Sequence, residues 1–249
     1  MSGHSKWSTI KRKKGVADAK RGKIFSRLAK EITVAARSGG DPNGNPRLRT
    51  ALLTARAANM PKDNVTKAIQ KGTGELPGSL YEELRYEGYG PHGVAVIIDL
   101  LTDNKNRAVA DVRHTLTKNG GSMAENGAVT WNFEAHGIIV VPKEGLSEDD
   151  IFEKAIDAGA EDVDTEGEAY EIVTAPAELH AVVEALEDAG VKSEEASLRM
   201  VPKTTQKVEG KAVASVLKFI DALEENEDVQ NVYSNIEISD EDMAAVMAE

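Results

Sequence analysis

The chain has 249 residues, of which 41% are hydrophobic, 29% charged and 4% aromatic, and it has no cysteine. That length admits two or three small domains, and the lack of cysteine excludes disulfides, thiolate metal sites and cysteine nucleophiles. No apolar run approaches the roughly 18 residues of a membrane span. The opening MSGHSKWSTIKRKK carries charge without the apolar stretch of a secretory leader. The expectation is a cytoplasmic protein with no membrane attachment.

The net charge of −12 is unevenly spread. Residues 1–75 hold 17 Lys or Arg against 5 Asp or Glu, a net of +12, and the other 174 residues hold 13 against 37, a net of −24. Such asymmetry points to a basic module for a polyanion carried by an acidic body.

The basic segment reads as helical. Over 16–37, Ile24, Leu28, Ile32 and Ala35 fall on one stripe, and Gly39-Gly40 ends the helix. Asn45-Pro46 caps and opens a second helix with Leu48, Leu52 and Ala55 inward. Pro61 opens a third, with Val65, Ala68 and Ile69 inward and Gly72 as its terminator. Three such helices make a small bundle. GTGELPG at 72–78 reads as a linker.

Beyond the linker, strands alternate with helices. VAVIIDLL at 94–101 is a near-continuous apolar run, as a buried strand should be. A helix follows over 106–118, with Val109, Val112 and Leu116 inward. Short strands are expected at 129–133 and 137–141, a helix at 148–158, a strand at 169–174, a helix at 176–189 and a strand at 196–201. A helix over 211–224 and a strand over 229–238 end the pattern. With an extra strand near 161–163, residues 137–201 make a split β-α-β unit of ferredoxin-like type. Residues 80–135 supply only part of such a unit, and the terminal helix and strand supply the rest. The expected fold is therefore α+β with three domains. A helical domain at 1–75 precedes an α/β domain of 76–135 plus 206–249, into which an acidic α/β domain of 136–205 is inserted, both α/β domains being ferredoxin-like.

The basic residues supply the candidate site. Lys6, Lys11, Arg12, Lys13 and Lys14 form an arm that continues through Lys20, Arg21, Lys23 and Arg27 onto the first helix, while Arg47, Arg49 and Arg56 lie on the second. Neutralising phosphates with such residues releases counterions and supplies affinity without sequence preference. Five acids cannot neutralise 17 bases locally, although docking on the protein's own acidic body is the competing use. Trp7 either stacks on a base or anchors the arm to the bundle.

Signals of other chemistry are weak. Gly88-Tyr89-Gly90-Pro91-His92-Gly93 has the letters of a dinucleotide fingerprint, but it precedes a strand where the fingerprint must follow one. His4, His92, His114, His136 and His180 lack metal-ligand spacing. There is no nucleophile elbow and no Walker loop. The expectation is a protein that is not an enzyme, with no cofactor, metal or small-molecule ligand.

Several long motifs then resemble one family in order along the whole chain. GHSKW at 3–7, KRKK at 11–14, DAKRGKIFSRLAKEI at 18–32, NPRLRTAL at 45–52, ANMPKDNV at 58–65, YEGYGPHGVAVI at 86–97, TDNKNR at 102–107 and KNGGSM at 118–123 are similar to the YebC/PmpR family. The resemblance implies the three-domain arrangement above. It also implies one of two roles: a transcriptional regulator on promoter DNA, or a ribosome-associated translation factor. The second is the role of the mitochondrial activators of cytochrome oxidase, which act on ribosomal RNA or tRNA and relieve stalling at proline-rich stretches. Plain helix-turn-helix geometry accounts for the turn at Asn59, Met60, Pro61 and Lys62; for that branch it becomes instead a candidate contact tip, with Asn59, Met60 and Lys62 touching RNA or the peptide-transfer region.

Overall fold

The computed structural model describes residues 18–248, with side chains from Arg21 to Val246. The described residues form a mixed α/β fold with eight α-helices and predominantly antiparallel sheets. They divide into two compact units. One holds residues 24–78 and 135–199, and the other holds 18–23, 79–134 and 200–248.

The first unit opens with helix α1 (Asp18–Ala35) from Ile24 onward, followed by α2 (Pro46–Ala57) and α3 (Lys62–Thr73). Ile32, Leu48, Ala51, Ala55, Met60 and Ala68 are buried together, with Leu28, Leu52, Val65 and Ile69 packed against them. Small alanine contacts let the helices approach closely, and two polar side chains fix the geometry. Thr33 Oγ1 donates to the carbonyl of Ala68 at 3.1 Å, tying α1 to α3. Asn45 Nδ2 donates to the carbonyls of Ala35 and Gly39 at 2.7 and 2.8 Å, while its Oδ1 caps α2 by accepting from Leu48 N at 3.0 Å. Helix α3 runs through Gly72 and stops at the left-handed Gly74, so Gly72 serves packing and does not end the helix.

The same unit contains a four-stranded sheet of β4 (Phe133–Pro142), β5 (Asp162–Asp164), β6 (Ala169–Thr174) and β7 (Glu195–Pro202), in the order β5-β6-β4-β7. Helices α5 (Glu148–Asp157) and α6 (Leu179–Asp188) bury Ile151, Ala155, Leu179, Val182 and Leu186 with Ile139, Val141, Tyr170 and Ile172 of the strands.

The second unit holds β1 (Glu82–Tyr89), β2 (Ala95–Thr102), α4 (Lys105–Lys118), β3 (Ser122–Ala124), β8 (Gln206–Lys207), α7 (Lys211–Glu224), β9 (Val229–Ser234), β10 (Ile236–Glu237) and α8 (Asp240–Ala248). Its main sheet runs β3-β1-β2-β9. Strand β2 pairs with β9 from Val96↔Ser234 to Leu100↔Val229, so the C-terminal strand returns beside the apolar run at 94–101. Helices α4 and α7 bury Val112, Leu116, Val216, Leu217, Phe219 and Ile220 against it.

Further expectations need correction. Residues 129–133 are not a strand: Thr130–Asn132 form a single 3-10 turn, and β4 begins only at Phe133. Strands β1, β3 and β8 and helix α8 were not expected. The strand expected over 229–238 breaks at Asn235, after which β10 pairs in parallel with β8.

Candidate nucleic-acid interface

The basic bundle presents its charges unequally. Lys6, Trp7, Lys11, Arg12, Lys13 and Lys14 lie outside the described residues, as does the side chain of Lys20, which itself falls in α1. Arg21 and Lys23 are exposed on α1, and Arg27 is half-buried. The Lys23 ammonium donates to the carbonyl of Glu225 at 3.3 Å. On α2, Arg47 is held by Glu31, Nε to Oε1 at 2.8 Å and Nη2 to Oε2 at 3.3 Å. Arg56 is exposed.

Of the residues expected at the tip, only some are exposed. Helix α2 ends with Asn59 in the left-handed region at φ +56°. Its N–H donates to Arg56 O and the Met60 N–H donates to Ala55 O, both at 2.9 Å. This is a Schellman closure, and it turns the following apolar residue back onto the helix. Met60 is accordingly 8% exposed, inside the bundle core. The expectation that Met60 touches nucleic acid is therefore corrected: its side chain is a packing residue. Asn59 and Lys62 are exposed and remain at the tip.

Sequence reasoning passed over Lys67 and Lys71, both exposed on α3. Their separation of four residues places them on one outward stripe, and that spacing was the available signal. Arg56, Lys62, Lys67 and Lys71 have no ion-pair partner among the described residues.

Arg49 is different. It stands on the stripe of α2 that also carries Leu53 and Arg56, at spacings of four and three. Its guanidinium donates to the carbonyls of Pro42 and Asn43 at 3.2 and 3.1 Å and is ion-paired with Glu184 of α6. Next to it Thr50 Oγ1 and His180 Nδ1 are 3.1 Å apart, and Leu53 packs against the core that β4, β6, α5 and α6 form. Burial, and then the neighbouring Arg49, holds the His180 imidazole below its ordinary pKa. The ion pair itself is half-exposed, with side-chain exposures of 34% and 56%. Such a pair is worth at most about 1 kcal/mol.

In the second unit the glycine-rich turn is a packing device. A Cβ on Gly90 would meet the Phe219 ring at 2.7 Å, as would one on Gly121, and Phe219 is fully buried. The space a phosphate would need is filled by that ring. Among the described residues no cluster of three or more His, Asp or Glu is placed to hold a metal, and no helix is long and apolar enough to cross a membrane.

Comparison with known proteins agrees with the motif resemblance. A family model described as the TACO1/YebC protein N-terminal domain matches residues 5–75, and one described as the TACO1/YebC second and third domain matches residues 81–236. A protein of Citrifermentans bemidjiense is 56% identical over 248 residues, covering 99% of this chain and 100% of its own. One of Desulfotalea psychrophila is 55% identical over 251 residues, covering 100% of both. Each is named a probable transcriptional regulatory protein. The crystal structure of a conserved hypothetical protein from Aquifex aeolicus, 48% identical, superposes with a TM-score of 0.83 over 90% of this chain and 93% of that one. With both family models matched in order and relatives identical at more than half of their positions over their full length, the chain belongs to the TACO1/YebC family.

Proposed function

We propose that the chain is a nucleic-acid-binding regulator of gene expression, and that it binds through the basic helical segment 1–75. The charge split carries the reading: +12 lies in those 75 residues and −24 in the rest. Phosphate attraction dominates nucleic-acid affinity, so the basic segment binds and the remainder does not. Arg56, Lys62, Lys67 and Lys71, exposed and without an ion-pair partner among the described residues, support it, as does the regulatory name its relatives carry. The same reading divides the chain into 1–75, 76–135 plus 206–249, and an inserted 136–205. It is supported by the pairing of β9 with β2 while β4 to β7 pair among themselves.

One observation favours a second reading, a ribosome-associated factor contacting ribosomal RNA or tRNA and relieving stalling at proline-rich stretches. Residues 135–199 alone hold 4 Lys or Arg against 18 Asp or Glu, a net of −14. Extended duplex on either side of the basic bundle would be repelled by so acidic a body. Folded RNA can receive a compact basic module and leave the acidic part outside. Competition between random duplex, a promoter fragment and ribosomes separates the two. An operator-directed protein prefers one duplex over random DNA by roughly a thousandfold or more at physiological salt. A ribosome-directed one shows little preference among duplexes and sediments with ribosomal particles. Binding that is insensitive to salt rules out both.

A further inference from the structure

Helix α2 carries its basic stripe in two states of availability. Arg56 is open to solvent. Two helical turns away Arg49 is engaged by Glu184, with the Thr50 hydroxyl on His180 and Leu53 against the core to which α6 contributes between them. The two polar contacts come from α6 of the acidic segment 135–199 and the apolar one from the core that α6 helps to build, and all three fall on one stripe of α2. At Arg49 a carboxylate of this acidic helix occupies the place that a phosphate would take.

We propose that helix α6 is an internal competitor for the nucleic-acid face of α2. It screens Arg49, Thr50 and Leu53 and must release them before the bundle makes its full set of phosphate contacts. The proposal rests on the nucleic-acid function proposed above and names how that site is regulated. Arg56, Lys62, Lys67 and Lys71 give nucleic acid a first foothold that does not require release. Arg49 is gained in a second step, in which a phosphate replaces the Glu184 carboxylate at the guanidinium. The replacement is one acceptor for another on the same donors, so the opened state leaves no buried charge unpaired. The half-exposed geometry of the pair makes the exchange easy, because water already reaches both groups.

The test uses the full chain and fluorescence anisotropy on a labelled random-sequence DNA duplex and a labelled structured RNA hairpin, each titrated over a range of salt. Glu184→Gln frees Arg49 while keeping the shape of the side chain. Glu187→Gln removes the same charge from the exposed side of the same helix without touching Arg49. The expected result is tighter binding for Glu184→Gln than for Glu187→Gln. The log–log salt slope should also be steeper by about 0.7 to 0.9, the contribution of one added phosphate contact. Equal affinities and equal slopes for the two variants overturn the proposal. A second measurement joins α6 to α2. The chain has no native cysteine, so Thr50→Cys combined with His180→Cys can be bridged specifically by a short bifunctional methanethiosulfonate, which spans a gap wider than a direct disulfide tolerates and is released by a reductant. The cross-linked form should bind more weakly, with a shallower slope, than the same protein after reduction. Identical binding before and after reduction overturns the proposal. If the wild-type chain and the reduced variant bind neither probe, the nucleic-acid reading itself has failed; if they bind both and the cross-link changes nothing, only the competition has failed.

Discussion

Gly72 of α3 lies directly against the backbone carbonyl of Thr33 in α1, with the Ala36 Cβ 2.6 Å from where a Cβ on Gly72 would stand. The bundle that carries the basic residues is closed at this point, and only a residue without a side chain fits. Gly72→Ala should force the two helices apart and cost about 1–3 kcal/mol, the usual range for overpacking a filled site. Thermal denaturation followed by circular dichroism measures the loss, and hydrogen exchange should place the loosened amides in α1 and α3. An unchanged melting temperature would contradict this packing.

The tip between α2 and α3 makes a paired prediction. Met60→Ala removes a buried side chain and should cost about 2–3 kcal/mol, toward the lower end for large-to-small core changes because Met60 is not wholly enclosed. Lys62→Ala should leave stability within about 0.5 kcal/mol of wild type, as exposed substitutions do, yet weaken nucleic-acid binding and make its salt slope shallower. Denaturant melts and anisotropy on the two variants separate packing from contact. The reverse pattern, stable Met60→Ala with lost binding, would restore Met60 as a contact residue.

Glu87 illustrates what was hidden in the sequence. Strand β1 reads EELRYEGY, too charged to resemble a strand, yet it pairs along its length with β2 and at its end with β3. Its Glu87 is 5% exposed because the carboxylate accepts from the backbone N–H groups of Gly127, Val129 and Thr130 at 2.6, 2.7 and 2.9 Å. That clamp is why 129–133 is not a strand, although Val129, Trp131 and Phe133 alternate as strand residues do. Val129 and Phe133 turn into a small core with Ala95 and Ile97, while Trp131 is left 69% exposed. By contrast the bundle was legible, because Asn45, Pro46 and Pro61 are local signals for helix starts. The apolar strands β2 and β4 were legible by their runs. The Arg49–Glu184 contact joins residues far apart in sequence, and no local pattern announces it.

The clamp has a pH signature. Burial raises the Glu87 carboxyl, but the donors from Gly127, Val129 and Thr130 together outweigh it and hold the group below its ordinary value. A lowered carboxylate pKa contributes stability that is present above the ordinary carboxylate range and lost as pH falls through the lowered value. Glu87→Gln should therefore cost about 1–3 kcal/mol at neutral pH and progressively less toward strongly acid pH. Urea melts at both ends of that range check the trend, and a penalty independent of pH would contradict it.

Glu171 runs the other way. Burial pushes its carboxyl above the ordinary value, only partly offset by Arg199, which lies 3.5 Å away and also holds Glu195 at 2.8 Å. A raised carboxyl pKa means the ionised form is disfavoured in the fold, so stability is lost as pH rises through that value. Glu171→Gln should raise the melting temperature at neutral pH and change it little at pH values below the carboxylate range. Destabilisation at neutral pH would show that the Arg199 pairing outweighs burial.

The most direct test of the central claim is the binding of the full chain with Lys11, Arg12, Lys13 and Lys14 each replaced by Glu, measured beside wild type on random duplex DNA, a promoter fragment and purified ribosomes. Phosphate contacts position without specifying, so the account predicts weaker binding to all three targets together. The wild-type slope should be steep in salt, about −0.7 to −0.9 per phosphate contacted, and the variant's shallower. Undiminished binding by the variant, or tight wild-type binding that ignores salt, would contradict it.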